Sequence, residues 1–238
     1  MGEADRVLTL FMPQRGKVRV IAKGIRKPRS RKAGHLELFT RSQLLLARGR
    51  DLDIVTQAQT VEAYRPLREY LLRGAYAAYA VELMDKLTPE AQENQELYDL
   101  LREMLGWLCV GEDLAPTARY YELRVLSLAG FQPQLHHCVV GGERIVAEDQ
   151  YFSALEGGAV CAKCGQGHSG LLPISMETLK YLRYFQTRPH NKVIALRLRP
   201  GVLAEMEHIL HRYLTVILER QLKSVEFLKL IRREAQAT

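Results

Sequence analysis

Residues 15–32 read RGKVRVIAKGIRKPRSRK, and the fold of the first quarter of the chain follows from how that stretch divides. Its first half alternates, with Lys17, Arg19, Ile21 and Lys23 on one side and Val18, Val20 and Ala22 on the other. A period of two marks a strand with one face in a core. Its second half, Gly24 to Gly34, is rich in Gly, Pro and Ser and predicts a flexible loop. Nine side chains of the stretch are basic: Arg15, Lys17, Arg19, Lys23, Arg26, Lys27, Arg29, Arg31 and Lys32. No acid occurs between Arg6 and Leu36. Cations fixed on a strand face beside a cationic loop match a ligand of regularly spaced negative charge, and a nucleic-acid backbone is the common example. The plainer reading, a solvated surface, fits most charge runs. Here the imbalance is too local for that. Residues 1–60 hold thirteen Lys/Arg against five Asp/Glu, a net +8, while residues 61–238 hold twenty-one against twenty-two, a net −1. Residues 61–135 alone carry −5, so different parts of the chain are suited to different partners.

Working outward, Val7 to Phe11 reads as a strand, and Pro13-Gln14-Arg15-Gly16 as a turn with Gly16 free to take positive φ. Lys17 to Gly24 is then the return strand of a hairpin. Leu36 to Ala47 predicts a third extended run, Arg48 to Asp51 a turn, and Ile54 to Tyr64 a fourth strand. Short sequential strands with polar turns predict a small barrel or curved meander. The period changes at Arg65-Pro66, where Pro66 suits a helix first turn. Leu67, Tyr70, Leu71, Ala75, Ala78, Tyr79 and Leu83 recur at helical spacing, and so do Leu97 to Leu108 after a restart at Thr88-Pro89. A third helix runs from about Pro116 to Ala129, with Gly130 as its carboxy-terminal cap. Residues 131–172 lose all periodicity. Ser175 caps a helix to about Gln186, and a long helix follows Pro200-Gly201 from Val202 to Arg220, extending toward Ile231. The chain is apolar enough, at 47% hydrophobic residues, to form packed cores rather than remain disordered. It shows no apolar run of membrane-spanning length and no secretory signal, so no membrane partner is expected and the reducing cytoplasm is the natural compartment.

The aperiodic segment holds the chemistry. Cys161-Ala162-Lys163-Cys164-Gly165 is a zinc-knuckle pair, in which thiolates at i and i+3 bite one ion and Gly165 permits the tight turn. Cys138 looks like half of a second knuckle, but its expected partner position, three residues on, is Gly141. Four donors complete a tetrahedral structural zinc. The fourth is sought in His168, at C-x2-C-x3-H spacing, or in His136 or His137 beside Cys138, with His168 preferred. The rival reading is a lost site with three free thiols. The metal would be structural, since no open position or base suggests water activation. Cys109, within Trp107-Leu108-Cys109-Val110, reads as a small core residue. No phosphate-binding glycine loop, nucleophile elbow or H-E-x-x-H is present, and no catalytic set emerges. Tyr120-Tyr121 and Tyr181, Tyr184 and Phe185 have the rings to stack on bases, but helical spacing favours core or groove roles. Lys180, Arg183, Arg188, Lys192, Arg197 and Arg199 form a second, weaker basic stretch that reads first as a solvated face.

These residues carry a family likeness. Gly2 to Phe11 (GEADRVLTLF), Gly16-Lys17, Ala22 to Lys27 (AKGIRK) and Ser30, then Leu126-x-Leu128-Ala129-Gly130-Phe131-x-Pro133, the cysteine loop and Gly157-Gly158, resemble the RecO family of bacterial DNA repair proteins. The resemblance runs from near residue 2 to at least residue 230. It implies an α+β protein: an oligonucleotide-binding (OB) barrel over 1–64, a helical domain over 65–135 and 173–238, and an inserted zinc module over 136–172. It implies a protein that is not an enzyme. Such a protein binds single- and double-stranded DNA, anneals complementary strands and, with RecR, helps load RecA onto DNA covered by single-strand-binding protein. Lys17, Arg19, Lys23, Arg26 and Lys27 fall on the family's basic barrel. The acidic tail of single-strand-binding protein is expected to dock on the helical part. Two departures stand out. The family has a strand ahead of the Gly2–Arg6 block, so the expected barrel lacks its first strand. Gly141 replaces a cysteine. The runner-up is a zinc-containing RNA- or ribosome-associated binding protein. A zinc hydrolase is the third class, and needs an open metal position with an acid such as Glu143 near it.

Overall fold

In the computed structural model, which describes residues 2–237, the alternation of residues 16–22 is realised as a strand with one face buried. Strand β2 (Gly16–Ala22) buries Val18, Val20 and Ala22 and leaves Arg19 exposed. It pairs antiparallel with β1 (Arg6–Met12) along its whole length, Thr9 opposite Arg19 and Met12 opposite Gly16. Gly16, at φ +60°, turns the hairpin, and a side chain there would also collide with the backbone of Gln92. Strand β3 (Arg41–Ala47) pairs antiparallel with β4 (Asp53–Glu62). Strand β4 then returns parallel to β2, Val20 opposite Asp53 and Ile21 opposite Ile54. The sheet order is β1-β2-β4-β3. Its core is Val18, Val20, Ala22, Ile25 and Val55, with Leu8, Leu10, Met12, Leu44 and Leu46 packed against it.

Two expectations for this region are corrected. The extended run predicted from Leu36 begins only at Arg41. Residues 33–35 wind into a 3-10 turn, and Phe39 sits at φ +58°, where no ladder continues. His35 holds that turn to the sheet, its ring nitrogen accepting from the Thr60 amide at 3.2 Å. The loop after β2 is a run of hydrogen-bonded turns, Lys27 N–H to Gly24 O at 3.1 Å and Ser30 N–H to Lys27 O at 2.9 Å, anchored by buried Ile25.

Helices α1 (Pro66–Glu69), α2 (Leu71–Leu87) and α3 (Gln95–Val110) belong to the same compact unit as this sheet. The single helix expected after Pro66 is interrupted at Tyr70, whose ψ of 115° is extended. Helix α2 buries Ala75, Ala77 and Ala80 beside Tyr76, Tyr79 and Leu83, so small residues let it pack closely on more than one side.

Gly111–Lys229 form a second unit. It contains α4 (Leu114–Leu128), the short α5 (Ala162–Gly165), α6 (Met176–Thr187), the short α7 (His190–Val193) and α8 (Pro200–Leu218). Gly130, at φ +84°, ends α4 as expected, with the Phe131 amide donating to Leu126 O at 2.7 Å. Helices α4, α6 and α8 bury Tyr121, Leu126, Leu182, Phe185, Met206 and Leu214 between them. A buried ion pair, Arg119 to Glu122 at 2.6 Å, lies on α4. The Glu205 carboxylate of α8 accepts from the Ser175 amide, the Ser175 hydroxyl and the Thr178 hydroxyl at 2.6–2.7 Å, tying the start of α6 to α8. The predicted continuation of α8 is interrupted at Glu219 (φ +52°), and α9 (Lys223–Ala237) begins afresh. The segment read as aperiodic holds a three-stranded sheet, β6-β5-β7, built from β5 (Gln150–Ser153), β6 (Gly158–Val160) and β7 (Leu172–Ile174). Among the described residues no helix is long and apolar enough to cross a membrane.

Candidate metal centre and nucleic-acid interface

The cysteine segment folds into two knuckles joined by backbone. Residues 134–139 run beside β6: Gln134 N–H donates to Gly157 O, Ala159 N–H to Gln134 O, and Val139 N–H to Ala159 O, at 2.7–2.9 Å. Strand β6 ends at Val160, so Cys161 follows at once and lies beside Cys138, whose sulfur accepts from the Cys161 amide at 3.4 Å. Each knuckle has the same internal bond. The Gly141 amide donates to Cys138 Sγ at 3.3 Å, and the Cys164 amide to Cys161 Sγ at 3.4 Å. Gly165 is needed for room, because a side chain there would enter the ring of Tyr151 on β5.

The structure gathers Cys138, Cys161 and Cys164 with Glu143, one donor atom of each lying within 4.8 Å of the others. All three thiols are free. Burial pushes the Cys138 thiol up, but amides donating to its sulfur outweigh that and bring it down to about 7. The Cys164 thiol is pushed up to about 12, because it donates to Cys161, is partly desolvated, and faces Cys138. Three thiols this close cannot all ionise without mutual repulsion, and a divalent cation offsets that repulsion as it displaces their protons. The donor set and the amides aimed at sulfur therefore fit a metal ion. His168, the preferred fourth ligand, is exposed and lies outside this group, its amide bonded to Gly165 O. His136 and His137 are also exposed and outside it. Cys109 is half-buried and apart from the cluster, with its thiol pushed up by burial. Sequence reasoning considered Glu143 only as the acid a zinc hydrolase would need. The signal for it as a donor was its place two residues beyond a glycine standing where a ligand was expected.

The nine cations of residues 15–32 divide into two sets. Lys17 is half-buried and donates to the Asp85 carbonyl at 2.7 Å, with the Asp85 carboxylate at 3.3 Å. Arg15 pairs with Asp53 at 2.7 Å, and Lys32 donates to Val55 O at 2.8 Å. These three are held by the protein itself. Arg19, Lys23, Arg26, Lys27, Arg29 and Arg31 are exposed and form no ion pair among the described residues, although Arg26 also donates to Glu3 O at 3.2 Å. In the second basic stretch, Arg183 is turned inward onto Leu135 O and Arg199 pairs with Glu177, while Lys180, Arg188, Lys192 and Arg197 stay exposed. Tyr120, Tyr121 and Phe185 are buried in the helical core, and burial pushes the Tyr121 hydroxyl far up. Tyr181 and Tyr184 lie half-buried under Lys180 and Arg188. None of the buried rings is available to a base.

Comparison with known proteins gives one consistent result. The family described as recombination protein O, N terminal, matches residues 1–64, and recombination protein O, C terminal, matches residues 68–226. The DNA repair protein RecO of Roseiflexus sp. (strain RS-1) is 41% identical over 98% of this chain and 82% of its own length. That of Pelotomaculum thermopropionicum is 40% identical over 95% of this chain and 88% of its own. That of Dehalococcoides mccartyi (strain ATCC BAA-2266 / KCTC 15142 / 195) is 33% identical over 98% and 91%.

Proposed function

The chain belongs to the RecO family of DNA repair proteins, and from that premise we propose that it is a recombination mediator which binds single- and double-stranded DNA and anneals complementary strands. Strands β1 to β4 are the open part of an OB barrel. The phosphate-binding groups are Arg19, Lys23, Arg26, Lys27, Arg29 and Arg31. What supports this is one observation: six exposed cations, none in an ion pair among the described residues, follow one another on β2 and the turns after it. Such groups neutralise phosphates without reading bases, so two backbones can lie close together whatever their sequence. Lys17, Arg15 and Lys32 support the sheet beneath them.

Cys138, Cys161 and Cys164 hold a structural zinc, since thiolates suit that ion and the knuckles fix the loop around it. When bound, the ion supplies no reaction; it ties Cys138 to the end of β6. The helical part meets protein partners: RecR, the acidic tail of single-strand-binding protein and, through them, RecA. The protein acts in the cytoplasm at the nucleoid and breaks no bonds.

The test is annealing of complementary strands coated with single-strand-binding protein. The wild-type chain is expected to speed annealing, and a variant with Arg19, Lys23 and Arg26 changed to Ala to lose most of that gain. Equal rates for wild type and variant, or a wild type no faster than the protein-free reaction, would overturn the reading.

A further inference from the structure

We propose that Glu143 is the fourth ligand of the metal centre, its carboxylate occupying the place of a thiolate that position 141 does not supply. This deepens the metal reading above and rests on it. The two knuckles are equivalent in backbone: residue i+3 donates its amide to the sulfur of residue i in both, at 3.3 and 3.4 Å. Gly141 is therefore the counterpart of Cys164. A Cβ built on Gly141 would come 2.8 Å from Cys164 Sγ, so that position faces the thiols. The same Cβ would overlap the Glu143 carboxylate, which fills the vacated space. Gly141 does not have positive φ, whereas Gly142 does, at +81°. Glycine at 141 thus serves for room and glycine at 142 for the turn.

The hairpin explains how residue 143 gets there. Gly142 N–H donates to Cys138 O and Cys138 N–H to Glu143 O, both at 2.8 Å, so Glu143 lies directly across from the first ligand. Three thiolates and one carboxylate carry the same charge as four thiolates, and carboxylate oxygen is an ordinary zinc donor. The ion is then held by one hard and three soft donors, with no position left for water.

The experiment uses the full chain with zinc, and with cobalt(II) as a visible probe. Wild type should retain one ion per chain. Because even an outer-sphere partner of a zinc ligand is worth about 10- to 100-fold in affinity, Glu143→Gln should lose zinc to a competing chelator at least about 10-fold more readily. Gly141→Ala should do the same by expelling the carboxylate, and His168→Ala should change nothing. The exchange Gly141→Cys with Glu143→Ala should restore retention and move the cobalt visible bands to longer wavelength, as a fourth sulfur replaces oxygen. If Glu143→Gln keeps wild-type zinc retention and an unchanged cobalt spectrum, the carboxylate is not a ligand, although the metal reading stands. If the wild type holds neither ion, the metal reading itself fails and takes this inference with it.

Discussion

Asp5 accepts hydrogen bonds from the Gly2 and Gly24 amides, both at 2.8 Å, and so clips the entry of β1 to the exit of β2. Those two amides, with help from Lys23, hold its carboxyl below the usual carboxylate range. A depressed acid stabilises the fold above its unfolded value of about 4, and that contribution fades as pH falls through the lower folded value. Asp5→Asn should therefore have a lower urea midpoint than wild type at neutral pH, with the gap closing under acid conditions. A gap independent of pH would remove Asp5 from this role. Residue identity was legible in the sequence where chemistry is local. The thiols at 161 and 164 announce a pair of candidate ligands, which the structure brings together with Cys138, and Gly130 announces a helix end. Glu143 was not legible, because Cys161 and Cys164 come from the second knuckle, at the start of α5, and proximity across a hairpin leaves no spacing rule. Gly165 was noticed as a turn residue, but what it provides is space for the ring of Tyr151.

At the scale of elements, β2 was readable because its neighbours on both sides, β1 and β4, leave one face to the core, and burial on one face imposes a period of two. The late start of β3 was not, since the apolar side chains of Leu36 and Leu38 imitate a strand while Phe39 breaks it. The three strands around the candidate metal centre are too short, at three or four residues each, to show any period. The joint between α6 and α8 was half visible. Ser175 was recognisable as a cap, but the carboxylate that receives its amide and hydroxyl comes from Glu205, thirty residues on. Hydrogen bonds to a charged group contribute about 1.5–3 kcal/mol, so Glu205→Ala should destabilise the second unit by about 2 kcal/mol. Chemical denaturation followed by the fluorescence of tyrosine should register it, and a midpoint unchanged from wild type would show that Ser175 caps α6 unaided.

For the whole molecule, the division of charge along the chain underlies the division of roles proposed above. The basic stretch was legible as a block, yet not residue by residue. Lys17 looked like its centre and proves to be bound to Asp85, because α2 approaches the sheet from a part of the chain that the local pattern does not reveal. Binding should separate the two sets. Each phosphate left without its cation lowers the salt slope on single strands by roughly 0.7, so replacing Arg19, Lys23 and Arg26 with Ala should lower it by about 2. Lys17→Ala should leave the slope intact while reducing stability. A slope that responds to Lys17 and ignores the other three would reverse the assignment. The parallel pairing of β2 with β4 has a consequence of its own. The chain between β2 and β4 carries Lys23, Arg26, Lys27, Arg29 and Arg31, so setting the two strands side by side draws like charges into one excursion of the chain. A polyanion bound there would relieve that crowding and, by linkage, raise the stability of the sheet, which a higher urea midpoint with single-stranded DNA present should show. On the proposed DNA reading, ligand and architecture would stabilise each other, the cargo acting as a chaperone.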